Sequence, residues 1–102
     1  MHYHNDLHGA DVAQHVSFVI NRQELGKTAK FNELDRLTLI VSSLCHDVQH
    51  DGFTNGFHKK AESPLQQNFG DDHIQEYFHA AQAIKLLSMP ECDFLSQSFS
   101  KY

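Results

Sequence analysis

Several residue types are scarce in this 102-residue sequence, and each shortage excludes a class of protein. It contains no tryptophan, two prolines and two cysteines, and neither cysteine belongs to a CxxC pair. A disulfide scaffold and a thiolate zinc site are therefore excluded, which favours a reduced, cytoplasmic protein. The eight Lys and Arg residues are scattered and the net charge is −5, so we expect no nucleic-acid partner.

Long apolar runs are also missing. No segment approaches the roughly 20 apolar residues that a membrane-spanning helix requires. Polar residues interrupt the N-terminus at His2, His4, Asp6 and His8, so no signal peptide is predicted. We therefore expect no transmembrane segment, and membrane association through parts of a longer chain stays open.

The spacing of the apolar residues predicts an all-α fold in one unit, with no strand. A first helix is capped by Asn5 or Asp6 and extends to about Gln23, with Gly26 following its end. A second helix begins at Asn32, where a capping box to the third helical residue is predicted. Its buried stripe is expected to consist of Leu34, Leu37, Ile40, Val41 and Leu44.

Three more helices are predicted after the turn-rich stretch 48–55. The third occupies 56–68, with Pro64 ending or kinking it. The fourth is capped by Asp71 or Asp72 and extends to about Leu87. One face of the fourth helix is expected to consist of Ile74, Phe78, Ala81 and Ile84 or Lys85. A capping box is predicted to open the fifth, formed by Ser88 and Glu91 around Pro90.

Histidine is the abundant residue, with nine copies. His4 and His8 are four residues apart, as are His46 and His50, and Asp47 follows His46 directly. On a helix this spacing places two imidazoles on one face, and an imidazole with a carboxylate suits a divalent metal. A single pair of this kind commonly consists of exposed polar residues that bind no metal. Two pairs beside an aspartate at the end of an apolar helix favour a metal site, because charge there is costly unless paired.

Three segments resemble motifs of the class I 3′,5′-cyclic nucleotide phosphodiesterases. Residues 3–12, YHNDLHGADV, are similar to the family's YHNxxHAADV segment. Residues 46–55, HDVQHDGFTN, resemble its HDxxHxGxxN signature. Residues 71–87 resemble its D-S-x-L-E-x-x-H segment, with Glu76 and His79 on the Glu and the last His. The motifs occur in the family's order and at matching intervals, so the resemblance covers essentially the whole chain.

The resemblance implies the compact multi-helix array of an HD-type phosphodiesterase, of which residues 1–102 would be a partial catalytic domain truncated at both ends. It implies an enzyme that hydrolyses cAMP, cGMP or both to 5′-nucleoside monophosphates. His8, His46 and Asp47 would bind a zinc ion, and Asp47 would bridge to a second metal, Mg²⁺ or Mn²⁺. The water molecules of the metals would be held by His50, Thr54, Glu76 and His79. His4 would be the general acid, and Tyr3 and Asn5 would line the substrate pocket beside it.

The chain also departs from the family pattern. The family's fourth zinc ligand, its purine-binding glutamine and its stacking aromatic residue would lie beyond Tyr102. Asp51 stands where Pro is common, and Gly9 where Ala is usual. Gln75 and Phe78 replace the customary Leu and first His of the third motif.

The sequence leaves two alternative functions open. The chain could be a truncated, non-catalytic metal-binding segment, or another HD-type metal phosphohydrolase that shares the His-Asp pair. Regulatory domains or oligomer partners would belong to the full-length chain. Three histidines have no partner at ligand spacing and are predicted to lie on the surface: His15, His58 and His73.

Overall fold

The computed structural model describes residues 1–22 and 28–98. Seven helices lie wholly in these ranges: α1 (Asp6–Arg22), α2 (Glu33–Cys45), α3 (Asn55–Ala61), α4 (Pro64–Phe69), α5 (Ile74–Leu87), a 3₁₀ helix (Pro90–Cys92) and α6 (Phe94–Ser98). No strand occurs in the described ranges, which confirms the all-α prediction. None of the described helices is long and apolar enough to cross a membrane. The chain divides into two compact units, Met1–Gly52 and Phe53–Tyr102.

The first unit is built on α1 and α2, which run antiparallel. At one end, Gly9 approaches α2 so closely that a Cβ atom on it would lie 3.0 Å from the Leu44 carbonyl oxygen. At the other end, the Arg36 guanidinium donates hydrogen bonds to the Asn21 side chain at 2.7 Å and to the Ile20 carbonyl oxygen at 3.3 Å. Together these contacts place the start of α1 beside the end of α2, and the end of α1 beside the start of α2. The buried residues of α1 are Gly9, Ala13 and Ile20.

The predicted helix starts of this unit are confirmed. The Asn5 side-chain oxygen accepts a hydrogen bond from the His8 backbone N–H at 3.0 Å, which caps α1. Asn32 and Asp35 form the expected capping box on α2, with reciprocal hydrogen bonds of 2.7 and 3.1 Å. The predicted end of the first helix at Gln23 and Gly26 lies outside the described residues.

The predicted buried stripe of α2 is wrong at both ends. Leu34 is 43% exposed and Leu44 is 52% exposed, whereas Leu37, Ile40 and Val41 are half-buried. Ser43 is the buried residue of this helix, and its hydroxyl donates to the Leu39 carbonyl oxygen at 2.6 Å. The reason is that α2 packs chiefly against α1 in this unit, and one narrow neighbour cannot cover a wide apolar face.

The second unit contains two helices where one was predicted over 56–68. Glu62 ends α3 in the left-handed conformation, with φ of 48°. Ser63 then caps α4 by accepting from the Gln66 backbone N–H at 3.2 Å, and Pro64 is the first helical residue. Proline lacks an N–H and its fixed φ suits a first turn, so Pro64 begins a new helix as well as interrupting the old one.

The predicted cap of α5 at Asp71 or Asp72 is also wrong. The position before this helix is His73, which has φ of 54° and makes no side-chain cap hydrogen bond. The backbone N–H of Gln75 instead donates to the Asn55 side-chain oxygen at 3.0 Å. A residue distant in sequence therefore satisfies one of the N–H groups that a helix start leaves without an intrahelical partner.

The predicted apolar face of α5 is only partly buried. Its buried residues are Ile74, Gln75 and His79, and Phe78 is half-buried. Ala81 is exposed and Ile84 is 67% exposed, in contrast to the prediction. All buried residues of α5 lie in its first half, so the spacing of apolar residues overstates the burial of its second half.

The predicted capping box at Ser88 and Glu91 does not form. A 3₁₀ helix at Pro90–Cys92 has no side-chain cap, and α6 starts after it. Asp93 takes the capping role, because its carboxylate accepts from the Ser96 backbone N–H at 3.2 Å. This hydrogen bonding to Ser96, first through its hydroxyl, lowers the pKa of Asp93.

Candidate metal centre

The antiparallel pairing of α1 and α2 brings two histidine motifs together in the first unit. His8 lies in the first turn of α1, and His46 and Asp47 directly follow α2. The close approach at Gly9 holds these two helix ends side by side. Residues from the two motifs therefore meet, although about forty positions separate them in the sequence.

The Asp47 carboxylate is the centre of this cluster. Its Oδ2 atom lies 3.0 Å from His46 Nε2 and 3.2 Å from His8 Nε2. The same oxygen lies 3.9 Å from His4 Nε2. The side chains of His8 and Asp47 are only 16% and 22% exposed, so their electrostatic interaction is partly shielded from solvent.

The hydrogen bonds of His46 determine which ring nitrogen can bind a cation. Its Nδ1 atom lies 2.7 Å from the Ser43 carbonyl oxygen, which can only accept. Nδ1 therefore carries the proton and Nε2 presents a lone pair toward Asp47. A carbonyl acceptor of this kind is the usual partner that orients a metal-binding histidine.

His50 has the opposite arrangement. Its Nδ1 atom accepts a hydrogen bond from the Gly52 backbone N–H at 2.9 Å, which uses the Nδ1 lone pair. A neutral His50 therefore carries its proton on Nε2 and acts there as a donor. Its ring stacks on His4, with centroids 3.9 Å apart. A donor nitrogen suits the holding of a water molecule better than the direct ligation of a metal.

Two groups in this unit have the donor atoms that a metal requires. His8, His46 and Asp47 each place a ligand atom within 4.8 Å of the others, as do His4, Asp47 and His50. Two imidazoles and a carboxylate are a common ligand set for zinc, whose tetrahedral bonds of about 2.1 Å imply ligand separations of about 3.4 Å. The 3.0 and 3.2 Å separations around Asp47 fit such an ion. The first group therefore has the donor atoms that a divalent metal ion requires.

An open cleft of about 280 Å³ adjoins this cluster. His4 and Asn5 line it, together with Asp47 and the turn that follows. The Asn5 amide also donates to the Met1 carbonyl oxygen at 3.0 Å, so this side chain serves the start of α1. Tyr3 lies against the rings of His4 and His8, with centroid distances of 4.8 and 4.5 Å, rather than in the cleft lining.

The remaining predicted site residues lie in the second unit. Thr54 caps α3, with its hydroxyl oxygen accepting from the Phe57 backbone N–H at 3.1 Å. Glu76 accepts a hydrogen bond from the Asn55 side chain at 2.9 Å. This hydrogen bond is the main reason that the pKa of Glu76 lies below its usual range, with smaller contributions from His73 and His79. His79, one turn further along α5, is buried.

One feature of this unit was not predicted from the spacing of residues. His58 is buried against Gln75, whereas the sequence predicted it on the surface. That prediction considered only metal-ligand spacing and ignored Ser63, five residues on, whose hydroxyl lies 2.8 Å from His58 Nδ1. The sequence signal that could have indicated a buried polar partner for His58 was Gln75, a polar residue at a position where the family commonly has Leu. The surface predictions for His15 and His73 are confirmed.

Comparison with known proteins gives a consistent result along the chain. A family model described as 3′5′-cyclic nucleotide phosphodiesterase matches residues 3–102. The chain is 39% identical over 95 residues to a probable 3′,5′-cyclic-AMP phosphodiesterase, pde-4, of Caenorhabditis elegans, covering 93% of this chain and 14% of the relative. It is 33% identical over 93 residues to the 3′,5′-cyclic-nucleotide phosphodiesterase regA of Dictyostelium discoideum, covering 91% and 12%.

A further relative is a probable 3′,5′-cyclic phosphodiesterase, pde-1, of Caenorhabditis elegans, with 29% identity over 94 residues. That alignment covers 92% of this chain and 14% of the relative. The chain thus spans between 12% and 14% of the length of these relatives.

Proposed function

The chain belongs to the 3′,5′-cyclic nucleotide phosphodiesterase family, and on that basis we propose that it carries part of a metal-dependent site that hydrolyses cAMP, cGMP or both. The product of such hydrolysis is a 5′-nucleoside monophosphate. The observation that carries the proposal is the convergence of His8 and His46 on one oxygen of Asp47, at 3.2 and 3.0 Å. Residues of the two family motifs are the ones that converge.

We assign His8, His46 and Asp47 as the residues that would hold Zn²⁺, and Asp47 as a residue that would also contact a second ion, Mg²⁺ or Mn²⁺. Bound metals of this kind lower the pKa of a water molecule and neutralise charge on a phosphoryl group. The hydrogen bond from His46 Nδ1 to the Ser43 carbonyl oxygen would leave the Nε2 lone pair available to an ion beside Asp47. The partial burial of His8 and Asp47 limits competition from bulk water.

We assign His4 as the general acid. In the proposed reaction a water oxygen attacks phosphorus, the bond from phosphorus to the 3′ oxygen breaks, and that oxygen leaves as an alkoxide. A protonated imidazole supplies the proton that converts this alkoxide into the 3′ hydroxyl. His4 lines the cleft beside Asp47 and stacks on His50, which fixes the orientation of its ring.

Four residues are proposed to hold the water molecules of the metals. His50 supports this role through its Nε2 donor, as its hydrogen bond from Gly52 implies. Thr54, Glu76 and His79 are assigned from their positions in the family motifs. Glu76 is a carboxylate at neutral pH, as an ordinary glutamate is, and the hydrogen bond from Asn55 lowers its pKa further; a carboxylate can accept a hydrogen bond from water.

Two measurements on the same samples test the proposal. Zinc content and the conversion of cAMP or cGMP, followed by ³¹P NMR with added Zn²⁺ and Mg²⁺, are compared for the parent chain and its variants. We expect His4→Gln to retain zinc and to lose about 10²- to 10⁴-fold in turnover. His15→Gln is the matched control, because His15 lies on α1, which follows His4 in the chain, and its side chain is 76% exposed.

The outcomes separate the candidate functions. A 5′-monophosphate product that depends on His4 supports the phosphodiesterase site. Zinc binding with no product from either nucleotide would identify a metal-binding segment without turnover. A variant of His4 that keeps full turnover would contradict its assignment as the acid.

A further inference from the structure

A buried polar pair joins α3 to α5 within the second unit. His58 and Gln75 are each 4% exposed, and the His58 Nε2 atom lies 3.1 Å from the Gln75 Nε2 atom. A buried imidazole and a buried carboxamide each cost free energy unless their hydrogen bonds are made. Their mutual contact is therefore a specific one.

The backbone oxygen of Phe53 fixes the direction of this contact. The Gln75 side-chain nitrogen lies 3.0 Å from the Phe53 carbonyl oxygen, which can only accept a hydrogen bond. The atom facing that oxygen must be the amide nitrogen, because an amide oxygen there would repel it. The second hydrogen of this nitrogen is then available to His58, so His58 Nε2 is the acceptor.

The remaining proton of His58 is fixed in turn. With Nε2 as an acceptor, the neutral ring carries its proton on Nδ1 and donates to the Ser63 hydroxyl oxygen at 2.8 Å. Ser63 also accepts from the Gln66 backbone N–H as the cap of α4. One directed chain of hydrogen bonds thus links residue 53, α3, the start of α4 and α5.

Asn55 lies next to this chain of hydrogen bonds and contacts the start of α5 itself. The Gln75 side chain binds Phe53 and His58, which flank Asn55 on either side in the sequence. Asn55 itself accepts from the Gln75 backbone N–H at 3.0 Å and donates to Glu76 at 2.9 Å. The start of α5 is consequently held to the 53–58 segment at several points, and the Asn55 side chain lies between them.

We propose that His58 and Gln75 are positioning residues that fix Asn55 and the Glu76 carboxylate at the start of α5. The leucine customary at position 75 could make neither side-chain hydrogen bond, so the device depends on this chain's own departure from the family pattern. The inference rests on the proposed function only in assigning Glu76 to a metal-bound water. The hydrogen-bonded pair itself is independent of any metal.

The first test is the tautomer of His58 in the metal-free parent chain. Long-range ¹H–¹⁵N NMR of the imidazole distinguishes a proton on Nδ1 from one on Nε2. The proposal expects the Nδ1–H form near neutral pH. A proton on Nε2 would overturn it, and this measurement needs no variant.

The second test compares Gln75→Leu with Gln82→Leu, the same change on the same helix. Gln75→Leu is expected to remove the Nδ1–H preference of His58 and to shift the side-chain amide signal of Asn55, whereas Gln82→Leu leaves both as in the parent. Gln75→Leu leaves the buried His58 without this hydrogen bond and is expected to lower the thermal midpoint of unfolding. The double variant His58→Leu, Gln75→Leu replaces the polar pair by an apolar one and is expected to recover most of that loss. An Asn55 signal that is equal in Gln75→Leu and the parent would overturn the positioning role.

The third test measures Mn²⁺ affinity and asks whether the His58–Gln75 pair affects metal binding. Loss of groups that support a metal site typically weakens binding by 10- to 100-fold, so a more remote positioning pair is expected to cost about three- to tenfold in Gln75→Leu. Unchanged Mn²⁺ affinity together with a shifted Asn55 signal would overturn the link to the metals. Failure of the parent to bind Mn²⁺ would instead count against the proposed function, and the two NMR measurements would still decide the positioning claim.

Discussion

The Nε2 atom of His8, in the first turn of α1, lies 3.2 Å from the Oδ2 atom of Asp47, the second residue after α2. The same oxygen is 3.0 Å from His46 Nε2. The two imidazole nitrogens and this carboxylate oxygen lie close enough together to be ligands of one divalent cation.

His8 and His50 are predicted to differ as zinc ligands. His8→Ala removes a nitrogen proposed to bind the ion and is expected to weaken zinc binding at least 100-fold. His50→Ala removes a ring that is proposed to hold a metal-bound water, because its Nδ1 lone pair already accepts from Gly52, so zinc affinity is expected to fall by about 10-fold and by no more than about 100-fold. Competition with a chromophoric chelator measures both constants. Equal losses in the two variants would contradict the distinction drawn from the tautomers.

Gly9→Ala tests the close approach of α1 and α2. Alanine stabilises a helix by about 0.5–1 kcal/mol relative to glycine, but a Cβ atom here would lie 3.0 Å from a backbone oxygen that has little freedom to move. We therefore expect Gly9→Ala to gain less stability than Gly56→Ala, whose nearest neighbour outside its own helix would be 3.7 Å away. Urea unfolding of the two variants measures the difference. A full gain for Gly9→Ala would show that the helices can separate without cost.

Glu76 gives a pH dependence with a defined sign. The hydrogen bond from Asn55 holds the folded-state pKa of Glu76 below its ordinary value. Glu76 therefore contributes stability above the ordinary glutamate pKa of about 4.3, and this contribution is lost as the pH falls through the lower folded-state pKa. We expect Asn55→Ala to raise the pKa of Glu76 toward its ordinary value, as followed by NMR titration of the carboxyl carbon. Asn68→Ala, at an exposed position of α4, is the control, and an equal pKa in both variants would refute the assignment.

The sequence predicted those features that depend on local spacing and on motif order. The capping box of Asn32 and Asp35 formed as predicted because its two hydrogen bonds involve only neighbouring residues. The meeting of His8 with His46 and Asp47 has the arrangement that the family resemblance implied, but spacing alone could not have placed two distant helix ends together. Zinc ligation by these residues remains a prediction.

The features that were missed depend on tertiary packing. Leu44 is exposed and Ser43 buried, because α1 covers only one side of α2. The start of α5 lacks the predicted Asp cap because Asn55 supplies the hydrogen bond from another helix. His58 is buried for the same kind of reason, since its partners Ser63 and Gln75 come from outside α3.

Asn32→Ala is predicted to separate stability from metal binding. Loss of the N-cap of α2 is expected to lower the free energy of unfolding by about 1 kcal/mol. The cap lies at the opposite end of the helix from His46, so zinc affinity in the folded protein should remain within about threefold of the parent. Thermal unfolding and chelator competition on one sample provide both values. A large loss of zinc affinity would mean that the whole of α2, rather than its last turn, controls the site.

The central claim is that His46 and Asp47, together with His8, bind zinc. Its most direct test is the zinc content of the parent chain and of the double variant His46→Ala, Asp47→Ala after dialysis against trace zinc, measured by plasma mass spectrometry. We expect close to one zinc per parent chain and almost none in the variant, with circular dichroism confirming that both remain helical. Equal zinc in the two proteins, or none in either, would contradict the claim that this cluster is a metal centre.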